Sequence, residues 1–174
     1  MNVNIEGVEK KLREARFFLS KMSEHERMAF GDKEPFDFYL SAFLSAARTV
    51  DYRLRHEQAA IYPTWRTAWD GKLSEAQKSL IKFMVDDRNE EVHESGSSRV
   101  VKTEDRGLGP GTHSFGFGTI EISGRIAGVP PSAVIQTPTY NFTIDSRERK
   151  ATDACGDYLA LLERMVAKFK ADHP

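Results

Sequence analysis

An arginine and a histidine five positions apart, Arg88 and His93, are the side chains in this sequence best suited to chemistry. The segment reads Arg88-Asn89-Glu90-Glu91-Val92-His93 and ends an apolar helical run. An imidazole with an unperturbed pKa of about 6.5 can take or give a proton near neutrality. A guanidinium stays charged and offers a planar fork of donors to an oxyanion such as a phosphate. The Asn89 amide can orient either group or contact the same anion. Spacing limits how the pair can cooperate. Five residues advance about 500° on an ideal helix, so positions 88 and 93 lie about 140° apart. They share a site only if the helix bends or ends between them, or if a two-fold dimer joins two copies of the segment. The local charge opposes a polyanion, because Asp86, Asp87, Glu90, Glu91 and Glu94 surround a single arginine. Arg99, Lys102 and Arg106, or Arg147, Arg149 and Lys150, are the basic residues that can offset it. The bland alternative pairs Arg88 with Asp87 or Glu91 on a solvated helix end and leaves His93 as a surface residue.

Other chemical patterns are weaker. Glu90-Glu91-Val92-His93 contains Glu-x-x-His, a spacing that carboxylate-bridged di-iron bundles use on two helices. A second copy is missing, since Met22, Arg53, Pro110 and Lys170 stand three residues before His25, His56, His113 and His173. No metal and no other cofactor is called for. The sole cysteine, Cys155, excludes a disulfide framework or a Cys-cluster zinc site and reads as an inert thiol beside an apolar stripe. Gly107-Leu108-Gly109-Pro110-Gly111 lacks the Lys-Ser/Thr of a phosphate loop and reads as a turn. His113 with Ser114 has neither an acid nor a nucleophile elbow. Trp65 and Trp69 can stack on bases, but at helical spacing beside Pro63 they read as packing residues. Arg53, Arg55 and His56 read as a solvated face.

The elements that would position Arg88 and His93 are helical. Ile5, Val8, Leu12, Ala15, Leu19 and Met22 step by three and four, and so do Phe36, Leu40, Phe43, Ala47, Val50 and Leu54. Pro63 breaks the second helix or follows its end, and a short helix puts Trp65 and Trp69 on one face. Ser74 with Gln77 forms a capping box for a third long helix, whose buried face is Leu80, Ile81, Phe83 and Met84. Eight of the twelve glycines then fall between Gly96 and Gly128. Thr119-Ile120-Glu121-Ile122 and Tyr140-Asn141-Phe142-Thr143-Ile144 alternate as strands, and Arg99 to Lys102 adds a third candidate. The fourth long helix is expected from Asp145 or Ser146, with Ala151, Ala154, Tyr158, Leu161 or Leu162, Met165 and Phe169 buried. The expected fold is mainly α: a four-helix bundle with a small antiparallel β insertion at 96–145 between the third and fourth long helices, forming a single domain over 1–174.

Length and charge agree with one soluble domain. The 174 residues are enough for a core without disulfides or metal. The 25 Lys and Arg against 26 Asp and Glu exclude a generic polycationic nucleic-acid binder, though not a local basic face. No apolar run is long enough to span a bilayer, so no membrane partner is expected and the expected address is cytoplasmic.

Arg88-Asn89-Glu90-Glu91-Val92-His93 resembles the R-x(4-6)-H motif of the HEPN family, in which a polar residue often follows the arginine. The run from Phe38 to Arg48 is similar to the HEPN helix before the motif, and the stretch from Trp69 through Phe83 to Asn89 is similar to the motif-bearing helix. The likeness covers roughly residues 5 to 95 plus the last helix, with the β insertion outside it. It implies a helical bundle that dimerises to bring two motifs together. It also implies a metal-independent endoribonuclease of the kind found in toxin–antitoxin, antiphage and RNA-processing systems. By position, Arg88 and His93 are the catalytic candidates and Asn89 the supporting polar residue. RNA, a second copy of the chain and a cognate antitoxin are the implied partners. Other HEPN proteins keep the fold as non-catalytic partners, so a dimerisation or partner-binding module is the second expectation.

Overall fold

Apolar side chains recurring every three or four residues commit most of the described chain to helix. The computed structural model describes residues 5–27, 34–93, 99–107, 111–115, 118–122 and 134–173, with the backbone alone for 87–93, 103–107, 111–115, 118–122 and 134–137. Helix α1 (Glu6–Glu26) buries Val8, Leu12, Ala15 and Met22. Helix α2 (Glu34–Glu57) packs along it with Phe36, Leu40, Phe43, Ala47, Val50 and Leu54. A short helix, α3 (Tyr62–Asp70), carries Pro63 in its first turn, where a missing backbone N–H costs nothing.

Helix α4 (Glu75–His93) starts on the expected capping box. The Gln77 N–H donates to Ser74 Oγ at 3.3 Å, and the Ser74 N–H donates to Gln77 Oε1 at 3.0 Å. It buries Leu80 and Met84 and continues unbroken to His93. The last helix, α5 (Ala151–Asp172), buries the widest face, from Ala151 through Cys155, Tyr158 and Met165 to Phe169. It touches α1, α2 and α4 and so forms the centre of the core.

Between α4 and α5 lie strands β1 (Val100–Gly107), β2 (Gly111–Phe115), β3 (Gly118–Ile122), β4 (Val134–Ile144) and β5 (Arg147–Lys150). β2 and β3 pair with each other, and β4 pairs antiparallel with both β1 and β5. In the β1–β4 ladder Val101 faces Tyr140 and Lys102 faces Thr139. The end of β4 belongs to the core, because Tyr140, Phe142 and Ile144 alternate inward. The Tyr140 ring stacks on Phe36 with centroids 3.6 Å apart, and Phe142 meets Phe83 edge-on at 5.0 Å.

One boundary departs from expectation. Asp145 and Ser146 do not open the last helix; they form the turn of the β4–β5 hairpin, with φ of 49° and 61°. Two successive positive φ values suit the right-handed twist of a tight hairpin, and Asp tolerates that region through its short polar side chain. Helix α5 therefore begins at Ala151, after the strand residues 147–150. No helix among the described residues is long and apolar enough to cross a membrane.

Candidate functional site

Arg88, Asn89 and His93 all stand on the last turns of α4, and their side chains lie outside the described residues, as does that of His113 on β2. The backbone of α4 settles one point of geometry. Because it stays helical through His93, positions 88 and 93 keep their separation of about 140°. A bend between them is therefore not available to bring them together.

The expected sources of compensating positive charge are mostly engaged by carboxylates of their own. Arg99 pairs with Asp37 and lies over the Tyr140 ring at 5.4 Å. Lys102 reaches Glu148 at 2.6 Å, Arg149 reaches Asp157 at 2.6 Å and Lys150 reaches Glu26 at 3.5 Å. The Arg106 side chain is outside the described residues, as are residues 108–110 of the glycine-rich turn.

A different cluster, of arginines paired with carboxylates, flanks α4 one turn before the motif. A cavity of about 240 Å³ lies between α2, α3, α4 and α5. α2 contributes Arg48, Asp51, Tyr52 and Arg55, whose spacing puts them on one face of that helix. Arg66 and Trp69 come from α3, and Ile81 and Val85 from α4. The floor is the buried face of α5, Tyr158 with Leu161, Leu162 and Met165.

Its polar wall is tightly organised around Asp51. One carboxylate oxygen, Oδ1, accepts from both the Tyr62 hydroxyl and Arg66 Nη1, and Oδ2 accepts from Arg55 Nη2 at 3.3 Å. Arg66 also donates from Nε to Asp70 at 2.7 Å and from Nη1 to the Tyr62 oxygen at 2.9 Å. Arg48 donates to the Val85 carbonyl at 3.2 Å and so ties α2 to α4 directly before the motif. Burial pushes the Tyr62 phenol pKa up, and the Asp51 carboxylate adds to the rise. Burial is the largest influence on Arg66 and opposes its charge, but the Asp51 carboxylate together with the bonds to Tyr62 and Asp70 holds the guanidinium above its ordinary value. Tyr158 is likewise raised, first by burial and then by Asp51. Both phenols are therefore neutral hydrogen-bonding groups at physiological pH.

The tryptophans pack, as their spacing suggests. Trp65 and Trp69 stack with centroids 5.7 Å apart, and Trp65 meets Phe169 edge-on at 4.9 Å. The Trp65 indole N–H donates to Asp172 at 2.8 Å, which joins α3 to the end of α5. Cys155 is fully buried. Arg53 pairs with Glu57 on an exposed face, where His56 also lies. Among the described residues no group of three His, Cys, Asp or Glu is placed to hold a metal ion.

Sequence reasoning did not single out Asp51, Tyr62 or Arg66, and it placed Tyr158 only in the buried stripe of the last helix. The available signal was a polar face on α2 at Arg48, Asp51 and Arg55, together with Tyr62, Arg66 and Asp70 at steps of four. Compared with protein-family models, with curated proteins and with solved structures, the chain matches none.

Proposed function

We propose that this chain is a HEPN-type, metal-independent endoribonuclease acting as a homodimer, in the manner of a toxin or antiphage component with a cognate antitoxin. The observation that carries it is the unbroken α4. It bears the Arg88–His93 motif at its end and packs against α2 and α5, as a motif-bearing bundle helix should. On such a helix positions 88 and 93 stand about 140° apart, so two copies related by a two-fold axis complete the site.

The chemistry uses the substrate's own nucleophile. His93 takes the proton of a ribose 2′-hydroxyl, whose oxygen attacks the adjacent phosphorus while the bond to the 5′-oxygen breaks. An imidazolium, from the same or the partner's motif, returns a proton to that leaving oxygen. The Arg88 guanidinium holds the non-bridging oxygens as charge builds on them, and Asn89 orients the phosphate. The products are a 2′,3′-cyclic phosphate and a 5′-hydroxyl.

Purified protein incubated with RNA in EDTA tests this. Wild type cleaves, and both His93→Ala and Arg88→Ala fall to background; equal residual cleavage in all three proteins rejects the enzyme. The acidic residues around the motif favour a second reading, a non-catalytic dimerisation or partner-binding module. Sedimentation that finds only monomer at micromolar concentration removes both.

A further inference from the structure

We propose that the outward face of the α1–α2 pair is a two-fold interface with a second copy of this chain, α2 packing antiparallel on the partner's α2 about Ser45. This rests on the homodimer of the reading above and names the surface that makes it. Apolar exposure comes first. Three large hydrophobic side chains are left to solvent here: Phe38 is 61% exposed, Tyr52 63% and Phe17 54%. Phe38 and Tyr52 stand on the side of α2 opposite its buried stripe, and Phe17 stands opposite Val8, Leu12 and Ala15 on α1. The two helices run antiparallel, since Gly7 lies against Arg53 and His25 meets Tyr39, which puts Phe17 level with the middle of α2.

Self-complementarity selects the occupant. Between Phe38 and Tyr52 the same face of α2 carries small, partly exposed residues, Ser41, Ala42, Ser45 and Thr49. Thr49 already spends its hydroxyl on the Ser45 carbonyl at 2.7 Å. Phe38 and Tyr52 are each seven residues from Ser45. A two-fold axis at Ser45 therefore sets Phe38 of each copy against the partner's Tyr52, while the small residues let the helices approach closely. Charge follows the same symmetry. The first turn of α2 is acidic, with Glu34 and Asp37, and its last turn basic, with Arg55 and His56. Asp37 and Arg55 are engaged within the chain by Arg99 and Asp51, so Glu34 and His56 carry the complementarity at the two ends.

Size agrees as well. The 24 residues of α2 span about 36 Å, and with α1 beside it the face is about 20 Å wide. That is on the order of 700 Å² per subunit, against the roughly 800 Å² per partner of a stable interface. The same axis serves the Arg88–His93 motif. The α4 backbone runs antiparallel to α2, with Val85 at Arg48 and Ile81 beside Tyr52, so positions 88–93 pass alongside the half of α2 from Phe38 to Ser45. Because α4 flanks α2 and the axis crosses at Ser45, both motif-bearing ends emerge on one side of the dimer, close to the axis.

Sedimentation of the full-length chain at micromolar concentration tests this. Wild type should be dimeric. Phe38→Glu and Tyr52→Lys, each at a solvent-exposed position, should keep the helical circular dichroism of wild type and weaken dimerisation at least about a hundredfold, since a symmetric dimer loses each contact twice. The double variant Phe38→Glu/Tyr52→Lys should recover most of that loss. The axis brings the introduced carboxylate of one copy to the introduced ammonium of the other, whereas within one chain the two positions lie about 21 Å apart. A monomeric wild type, which would leave the face to a different partner, overturns the proposal. So do single variants that stay dimeric, and a double variant that fails to recover. RNA cleavage in EDTA is read separately: a dimer that these substitutions dissociate but that cleaves no RNA upholds this interface and rejects only the ribonuclease.

Discussion

Two carboxylates, Asp51 and Glu26, are withdrawn from water beside different turns of α5, and the fold treats them differently. Asp51 retains 24% of its side-chain exposure and collects donors from Arg66, Arg55 and Tyr62. Glu26 retains only 10%, yet among the described residues its Oε2 meets just the Thr152 hydroxyl at 2.8 Å and Lys150 at 3.5 Å. Its Oε1 has no hydrogen-bond partner among the described residues. If burial alone decided how many partners a carboxylate recruits, the order would be reversed. Asp51 is the hub that fixes a cavity wall. Glu26 sits beside the first turn of α5, where backbone amides and the helix dipole favour negative charge without a side-chain cap.

The largest effect should come from removing the hub. Asp51→Ala leaves Arg66 charged, largely out of water and deprived of its main counter-ion, with Asp70 as its remaining carboxylate. Breaking such a pair from one side costs about 2–4 kcal/mol when the groups keep partial solvent contact. Glu26→Ala should cost about 1 kcal/mol, the worth of the Thr152 hydrogen bond. Urea unfolding of both variants checks the ranking, and equal losses would erase the contrast between the two sites.

Alkaline pH should strike the same side of the molecule. Tyr62 and Tyr158 have folded-state values raised above the ordinary 10.0. Their stabilising contribution is therefore complete below pH 10 and is lost as pH climbs from there towards the folded values. Over that window each tyrosine costs about 1.4 kcal/mol per pH unit, because only the unfolded chain releases the proton. The double variant Tyr62→Phe/Tyr158→Phe should flatten the decline measured by denaturation between pH 9 and 11. Below pH 9, Tyr62→Phe alone should cost about 1 kcal/mol through the lost bond to Asp51, whereas Tyr158→Phe should cost nothing measurable.

What could be read in advance follows the reach of each interaction. The stripes of α1, α2 and α5 and the Ser74–Gln77 box depend on neighbours within a turn, and they appear as expected. The alternation at Tyr140–Ile144 was also legible, but its burial against Phe36 was not, because that contact joins distant parts of the chain. Asp145-Ser146 misled because short polar residues suit both a helix start and a left-handed turn; pairing of Ile144 with Arg147 decides between them. The Asp51 hub was hidden for a related reason. On α2 alone, Asp51 with Arg55 looks like an exposed i,i+4 pair, and Arg66 with Asp70 looks the same on α3. Only when α3 folds back does Arg66 cross to Asp51 and turn two surface pairs into one partly buried network. The Arg88–His93 motif was legible as a pattern, and α4 fixes where its backbone lies, while the pairing of motifs depends on a second chain.

The smallest predicted effect sharpens the contrast most. Glu26→Gln keeps an oxygen to accept from Thr152 and places an amide where Oε1 has no partner among the described residues. What is lost is the charge, which interacts with Lys150 across 3.5 Å and with the N-terminus of α5. Lys150 is substantially exposed, so that pair contributes little, and the helix terminus contributes a few tenths more. The expected cost is about 0.5 kcal/mol, read from the shift in urea midpoint at unchanged slope. Asp51→Asn, an equally conservative exchange, should cost about three times as much, because its amide N–H₂ would face donors where a carboxylate accepted from them. Near-equality of the two amide variants would mean that the α5 terminus holds Glu26 as firmly as the three donors hold Asp51.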